Sequence, residues 1–327
     1  MALVSQVATA TFEEIAPELY DNFTNNNAFL AHLRDQDNLV EDNVGGEYMR
    51  ANLTYAENGS YDRYTGRERV SIAENDILTC GKFAHKQVSV AVVMDGLEQD
   101  VQNIGEAALV ELMQAKVDVA EMTFENNFEI DLFSDGTASG GRQIGGLQLL
   151  IADSPSSGTV GGIDRSLYSW WRNISYDATT DGGAPASAVN IKSYLDAAWR
   201  QVVRKKDKPT FYLADNNYYS FYEQHLGPLQ TIARDSGSES GAVGTGWDEL
   251  AYRGRPFVLA GGQGGAIPAN HVYGICGRHI KLKEAKNRKF KPRPSVKSID
   301  QDLEVTLFLW AGNLMVTNCS VHFVLKD

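Results

Sequence analysis

GGLQLLIADSPSSGTVGGIDRSLYSWWRN, residues 145–173, decides how this chain reads. A glycine pair, Gly145-Gly146, leads into a short apolar run, a Ser/Gly loop and the turn Gly161-Gly162-Ile163-Asp164-Arg165. The stretch ends in Trp170-Trp171-Arg172-Asn173, two adjacent indoles beside a guanidinium. Apolar and aromatic side chains stand here where no bond-making chemistry uses them, so the stretch reads as packing surface. Consecutive side chains on a strand point to opposite faces, so the two indoles cannot both enter one core. One of them is expected to meet another subdomain or subunit, which makes Arg165, Trp170, Trp171 and Arg172 candidate interface residues.

At 327 residues the chain exceeds the usual size of a single core, and about two subdomains are expected. Hydrophobic residues make up 43% and charged residues 22%, proportions of a chain that folds rather than one that stays disordered. The opening MALVSQVATATFEEIAPELY has no basic leader and no long apolar run, which argues against a cleaved secretory signal. No run is apolar enough to span a membrane. Cys80, Cys276 and Cys319 are odd in number and scattered, which favours buried thiols over a disulfide frame. Of the net charge of −12, the segment Lys281–Lys297 alone carries +7, which leaves −19 on the remainder. A body that acidic repels phosphate, so a sequence-reading DNA-binding protein is disfavoured. The basic residues Lys281, Lys283, Lys286, Arg288, Lys289, Lys291, Arg293 and Lys297 are expected to form a solvated face, or to meet a neighbour's acidic surface or nucleic acid.

Residues 1–44 read as an arm, with Phe12, Ile15, Leu19 and Phe23 at helical spacing and a second apolar set at Phe29, Leu30 and Leu33. From Glu47 the pattern alternates, and Asn58-Gly59 predicts a hairpin whose return strand begins at Tyr61. Tyr48, Arg50, Arg63, Arg67 and Arg69 are its candidate interface residues. After a buried strand, Gln87–Met94, a helix is predicted from an Asp95/Glu98 capping box to about Asn127, through Leu97, Val101, Ile104, Ala108, Leu112, Ala115, Val119 and Met122. Its other face is anionic, with Glu98, Asp100, Glu106, Glu111, Asp118, Glu121, Glu125 and Glu129 against Lys116. Residues 145–274 alternate strands and helices: a helix over Ser187–Arg204, a strand over Thr210–Ala214, and a helix capped by Asp215 and stopped by Gly227-Pro228. Two Gly/Ser loops, Asp235–Gly246 and Ala260–Ala266, are expected at the surface. Leu303–Leu325 reads as two strands joined at Gly312-Asn313.

Catalytic signatures are sparse. There is no Gly-x-x-x-x-Gly-Lys loop, His-Glu-x-x-His helix or Gly-x-Ser-x-Gly elbow, and Gly237-Ser238-Glu239-Ser240-Gly241 puts glutamate at the nucleophile position. Gly261-Gly262-Gln263-Gly264-Gly265 lacks the following helix cap that an anion cradle needs. Cys319/His322 and His271/Cys276/His279 are weighed as metal ligands and read as structural. No catalytic, metal or cofactor-binding residue is assigned, and no cofactor is expected.

The tryptophan-pair stretch, the later Leu309-Trp310-Ala311-Gly312-Asn313-Leu314 and the order of elements around them resemble the major capsid (coat) proteins of tailed bacteriophages. The resemblance implies an α+β fold with an N-terminal arm (1–44), an extended hairpin loop (45–86) and a peripheral domain with a long spine helix (87–144). It further implies an inserted axial α/β domain (145–274) and a return to the peripheral domain (275–327). What it implies for function is a non-enzymatic subunit assembling as pentamers and hexamers into an icosahedral head around double-stranded DNA, held without sequence specificity. The partners implied are other copies of the chain and separate scaffolding, portal and decoration proteins, with no membrane, in a virion assembled in the host cytoplasm. A cargo-enclosing nanocompartment shell of the same fold is the alternative, and an enzyme of unrecognised class the weaker one.

Overall fold

A computed structural model describes residues 27–35, 38–42, 46–69, 72, 75–96, 106–233, 250–297 and 301–327, with the side chains of 35, 42, 106–113 and 227–233 outside the description. The predicted helix around Phe12–Phe23, the Asp95/Glu98 box with Leu97, Val101 and Ile104, and the 235–246 loop all fall wholly or partly outside these residues.

A 14-residue strand, β15 (Leu303–Val316), organises the first six-stranded sheet. Along one edge it pairs antiparallel with β4 (Lys86–Asp95), from Leu303↔Asp95 to Gly312↔Lys86. Along the other run, in series, β14 (Val296–Lys297), β13 (Lys291–Pro292) and β12 (Ile280–Ala285), and β1 (Leu39–Asp42) adds to β12 in parallel. The two strands predicted to meet at Gly312-Asn313 are therefore one. Gly312 is there for close approach rather than for a turn: a Cβ on it would lie 2.2 Å from the Lys283 carbonyl oxygen and 2.8 Å from the Trp310 ring. Asn313 is buried and bonded, its Oδ1 accepting from Gly145 N at 3.2 Å and its Nδ2 donating to the Ala84 carbonyl at 2.9 Å. The real turn is one of 3₁₀ type at Cys319–Val321, after which β16 (Phe323–Lys326) enters the other sheet. Residues 303–327 thus divide between the two sheets instead of closing the first alone.

The second sheet runs β7 (Ile174–Asp177), β16, β11 (His271–Ile275), β8 (Phe211–Ala214), β10 (Arg255–Leu259) and β9 (Leu250–Tyr252). Both its faces are covered, which is why β8 reads as an unbroken apolar run. Phe211 and Leu213 join one core while Tyr212 and Ala214 join another, under helices α3 (Ile191–Val202) and α4 (Asn216–Ala233). Asp215 caps α4 as predicted, its Oδ1 accepting from Tyr218 N at 2.9 Å. Two helix boundaries differ from the prediction. Helix α3 begins after a turn in which Asn190 Oδ1 accepts from Ser187 N at 2.6 Å. Helix α4 continues through Gly227-Pro228, where Gly227 has no Cβ to meet the proline ring and so removes part of the conflict a helical proline brings.

The long helix, α2, is described from Glu106 to Phe133, 28 residues and roughly 42 Å. It runs past Asn127 because its apolar spacing continues: Ala120, Phe124, Phe128 and Leu132 are all buried. Phe128 meets Trp310 edge-on at 4.7 Å, and Phe124 lies 4.3 Å from Phe290. Strand β4 is half-exposed, alternating Val92 and Met94 inward with exposed Ala91 and Val93 outward. Of the arm, α1 (Ala28–Asp35) is described; Phe29, Leu30 and Leu33 bury completely or nearly so against the second sheet and α2.

The hairpin differs most from its prediction. Strand β2 (Tyr48–Thr54) pairs with β3 (Leu78–Ala84), so the described residues of the intervening loop 55–77 (55–69, 72 and 75–77) contain no strand and none begins at Tyr61. Met49, Ala51, Leu53 and Phe83 give β2–β3 a buried face, whereas 61–69 offers charges on both sides and nothing to bury. Asn58-Gly59 makes a local turn, with Asn58 Oδ1 accepting from Ser60 N at 2.9 Å.

Gly312→Ala is expected to destabilise the protein by at least about 2 kcal/mol through overpacking. Asn313→Ala is expected to cost about 2–3 kcal/mol, because it strands a buried amide and a buried carbonyl. Urea denaturation reads both; losses under about 0.5 kcal/mol, the behaviour of an exposed turn, would contradict the continuous strand.

Candidate interface site

Residues 145–173 fold into a knot of buried polar bonds. The turn Gly161-Gly162, φ +59° and +78°, closes a small hairpin of β5 (Thr159–Val160) and β6 (Ile163–Asp164). The Arg165 guanidinium is 1% exposed and donates to the Leu149 carbonyl at 3.0 Å and to the Leu150 carbonyl, close to Cys319 Sγ. Arg172 donates to the carbonyls of Arg165 and Ser166 at 2.6 and 2.8 Å, and the Asn173 amide both accepts from and donates to the backbone of Ala152. The indoles diverge because Ser169–Trp171 is a 3₁₀ turn rather than a strand. Trp171 is 1% exposed and donates to the Val160 carbonyl at 3.0 Å. Arg165 and Trp171 are therefore internal struts, a correction to their reading as interface residues: each is buried and donates to carbonyls of its own chain.

Trp170 does meet another part of the molecule, the root of the long loop, where its ring stacks on Tyr55 at 5.8 Å. Its buried Nε1 has no acceptor among the described residues. The root is fastened to the knot by Lys82 N donating to the Gly161 carbonyl at 2.8 Å, with Phe83 packed on Gly161. Between them lies a half-open cleft of about 470 Å³, lined by Tyr55, Leu78, Cys80, Lys82, Tyr168 and Trp170 among others. Leu78 (71%) and Tyr168 (45%) are exposed on its lining and Leu167 (75%) is exposed next to Tyr168 in the chain, three apolar residues that sequence reasoning missed because an isolated Leu or Tyr carries no periodic signal.

The outer face of β2–β3 carries Tyr48 and places Arg50 directly opposite Lys82. Like charges in that position repel, and neither has a salt-bridge partner among the described residues. Arg63, Arg67 and Arg69 are exposed on the 55–77 loop beside Tyr61 (79%), Tyr64 (62%) and Ile72 (93%).

The basic segment is not one face. Lys281 and Lys283 are half-buried on β12; Lys289 pairs with Glu41, and Arg288 donates to Gln87. Lys286, Lys291, Arg293 and Lys297 are exposed along the edge strands β13 and β14 and the turn before them. Of the four carboxylates on the described part of this face of α2, Glu129 is buried and Glu125 binds Arg34 at 2.8 Å, while Asp118 and Glu121 lie toward solvent.

The residues weighed for chemistry are placed as follows. His322 is fully buried, and its Nδ1 accepts from Cys276 N at 3.1 Å; burial, then the nearby His279, pushes its pKa down to about 3. Burial raises the Cys319 thiol to about 11. Among the described residues no three His, Cys, Asp or Glu side chains are placed to hold a metal. Gly261 packs against the start of α4, where a Cβ would lie 2.7 Å from Asn216 N, so the loop itself occupies the helix end an anion would need. No helix among the described residues is long and apolar enough to cross a membrane.

No protein-family model matches the sequence, and no curated protein matches it. Solved structures do. The subunit of the cyanophage A-1(L) capsid aligns over 99% of this chain and 97% of its own at 12% identity, with a TM-score of 0.63. The holo-SrpI encapsulin complex from Synechococcus elongatus PCC 7942 covers 100% and 96% at 12% identity and 0.58. The capsid of Myoviridae phage XM1 covers 96% of each chain at 14% identity and 0.54. The fold of this chain is that of tailed-phage capsid proteins.

Trp171→Ala is expected to cost about 3–5 kcal/mol, as for a buried aromatic. Trp170→Ala, half-buried, is expected to cost about 1–2 kcal/mol. Urea midpoints of the two variants test this ordering, and the reverse order would place the strut at the wrong indole.

Proposed function

We propose, from a fold shared end to end with phage capsid subunits, that this chain is the major capsid protein of a tailed bacteriophage and builds a closed shell around double-stranded DNA. The observation that carries the reading is the extent of the likeness, 99% of this chain against 97% of the A-1(L) capsid subunit. The function is containment: copies associate as pentamers and hexamers, with no substrate and no cofactor. The peripheral domain corresponds to the α2 and β15 layer, the axial domain to the second sheet with α3 and α4, and the extended loop to 55–77.

Three surfaces support assembly because they are incomplete alone. The 55–77 loop exposes Tyr61, Tyr64 and Ile72, the opposed Arg50 and Lys82 have no salt-bridge partner among the described residues, and the knot exposes Leu167 and Tyr168. Each is expected to be covered by another copy, so that many modest contacts add through multivalency. Lys286, Lys291, Arg293 and Lys297 face a neighbour's acidic surface or packaged DNA, and with −19 on the rest of the chain DNA slides inside the head instead of sticking. Scaffolding, portal and decoration proteins act as separate chains in a virion assembled in the host cytoplasm. The likeness to the SrpI encapsulin complex sustains a second reading, a compartment enclosing protein cargo.

Negative-stain electron microscopy with sedimentation at rising concentration is expected to show closed shells or rings of five and six. A small monodisperse species, even with phage partner proteins supplied, would overturn the proposal, and protein cargo instead of DNA in shells from the native source would favour the compartment. Replacing residues 58–75 by a short Gly/Ser turn is expected to leave the urea midpoint within about 0.5 kcal/mol and to abolish shells. Glutamate at Lys286, Lys291 and Arg293 is expected to lower assembly or nucleic-acid retention and to flatten its salt dependence.

A further inference from the structure

Helix α1 joins residues 1–26 to the body of the protein, and its anchor is a single carboxylate. Glu129, on α2, is 2% exposed, and its Oε1 and Oε2 accept from Phe29 N and Leu30 N at 2.8 and 2.9 Å. Those amides belong to the first turn of α1, where a helix has no acceptors of its own. An eight-residue helix is not stable alone, so α1 exists by docking. Phe29 packs 5.7 Å from Phe133 and 6.2 Å from Phe211, and the clasp is completed by Arg34 with Glu125 and by Asn27 with Asn126.

We propose that Glu129 is a pH-sensitive latch on helix α1: protonated, it holds α1 on α2, and ionised it loosens α1. The inference needs no shell and stands apart from the capsid reading. Burial raises the Glu129 carboxyl to about 7, against the two backbone amides and the more distant Arg34, which favour the ionised form. Once α1 lifts away, water reaches the carboxyl and its pKa falls towards the ordinary value. The docked state therefore holds the proton more tightly than the undocked one. Docking is strongest below about pH 4.5, weakens as pH rises to about 7 and is level above. Among the described residues, Arg34 on α1 is the charge that acts on Glu129, and it pairs with Glu125 on α2; His32 on α1 and Asp131 on α2 are further titratable side chains of these two helices, and β8 and β11 present the rings of Phe211 and Tyr273 to His32, Phe29 and Phe133.

The test is hydrogen exchange of the full-length protein, read as protection of residues 28–35 relative to intrinsic rates at about pH 6 and about pH 8.5. With the carboxyl at about 7 when docked and near 4.5 when exposed, protection is expected to fall roughly tenfold over that interval. In Glu129→Gln the fall is expected to vanish. Arg34→Gln is expected to move the midpoint to higher pH, which a merely structural role would not do. An equal fall in Glu129→Gln would assign the effect to another group and overturn the proposal; constant protection in the unaltered protein, or an unmoved midpoint in Arg34→Gln, would overturn it too.

Discussion

One amide side chain ties together the places where this chain changes direction. Asn313, inside β15, accepts from the amide of Gly145, where the chain leaves α2 for the second region, and donates to the carbonyl of Ala84, where the hairpin becomes β4. Both bonds are buried, where an unmet partner costs more than a bond contributes in water. Their geometry requires β15 to pass without a side chain at Gly312, so that the Lys283 carbonyl and the Trp310 ring can close over it. Trp310 then sits edge-on to Phe128 and donates to Glu284 at 2.8 Å, which sets the distance between α2 and the sheet. The position of helix, hairpin and second sheet relative to one another follows from this point on one strand.

The molecule separates sharply into surfaces that satisfy themselves and surfaces that do not. Residues 145–173 consume their own guanidiniums, amides and indole on their own carbonyls, so the stretch that looks most like an interface in sequence is mostly internal bracing. The loop fastened to it is the opposite: anchored at Lys82 and Tyr55, it carries aromatic and cationic side chains into solvent with no face to bury. A rigid root under an unsatisfied loop is how a subunit presents a reaching contact without losing its own fold.

Much of this was legible in the chain. Apolar spacing of 3.6 marked α2, the unbroken apolar run marked β8, and Asp215 marked the start of α4, because local rules govern periodicity and caps. The hairpin partner, the Gly312-Asn313 junction and the burial of Glu129 and Arg165 were not legible. A glycine-asparagine pair reads as a turn unless a carbonyl and an indole are known to approach it, and Glu129 reads as one more acid on an anionic helix. The candidate interface was half legible: the cations at 50, 63, 67 and 69 announced themselves, while Leu78 and the pair Leu167-Tyr168 come from two segments distant in the chain.

The sequence by itself determined the mixed α and β content, the long helix, the acidic body with its basic segment, and the absence of familiar catalytic motifs, all properties of composition and short-range spacing. The tertiary structure decided which strand β2 pairs with, that β15 is one strand, which tryptophan is a strut, and which carboxylate anchors the N-terminal helix. Those outcomes depend on what lies within a few ångströms of a side chain, and residues 84, 145 and 313 are brought together only by the folded chain.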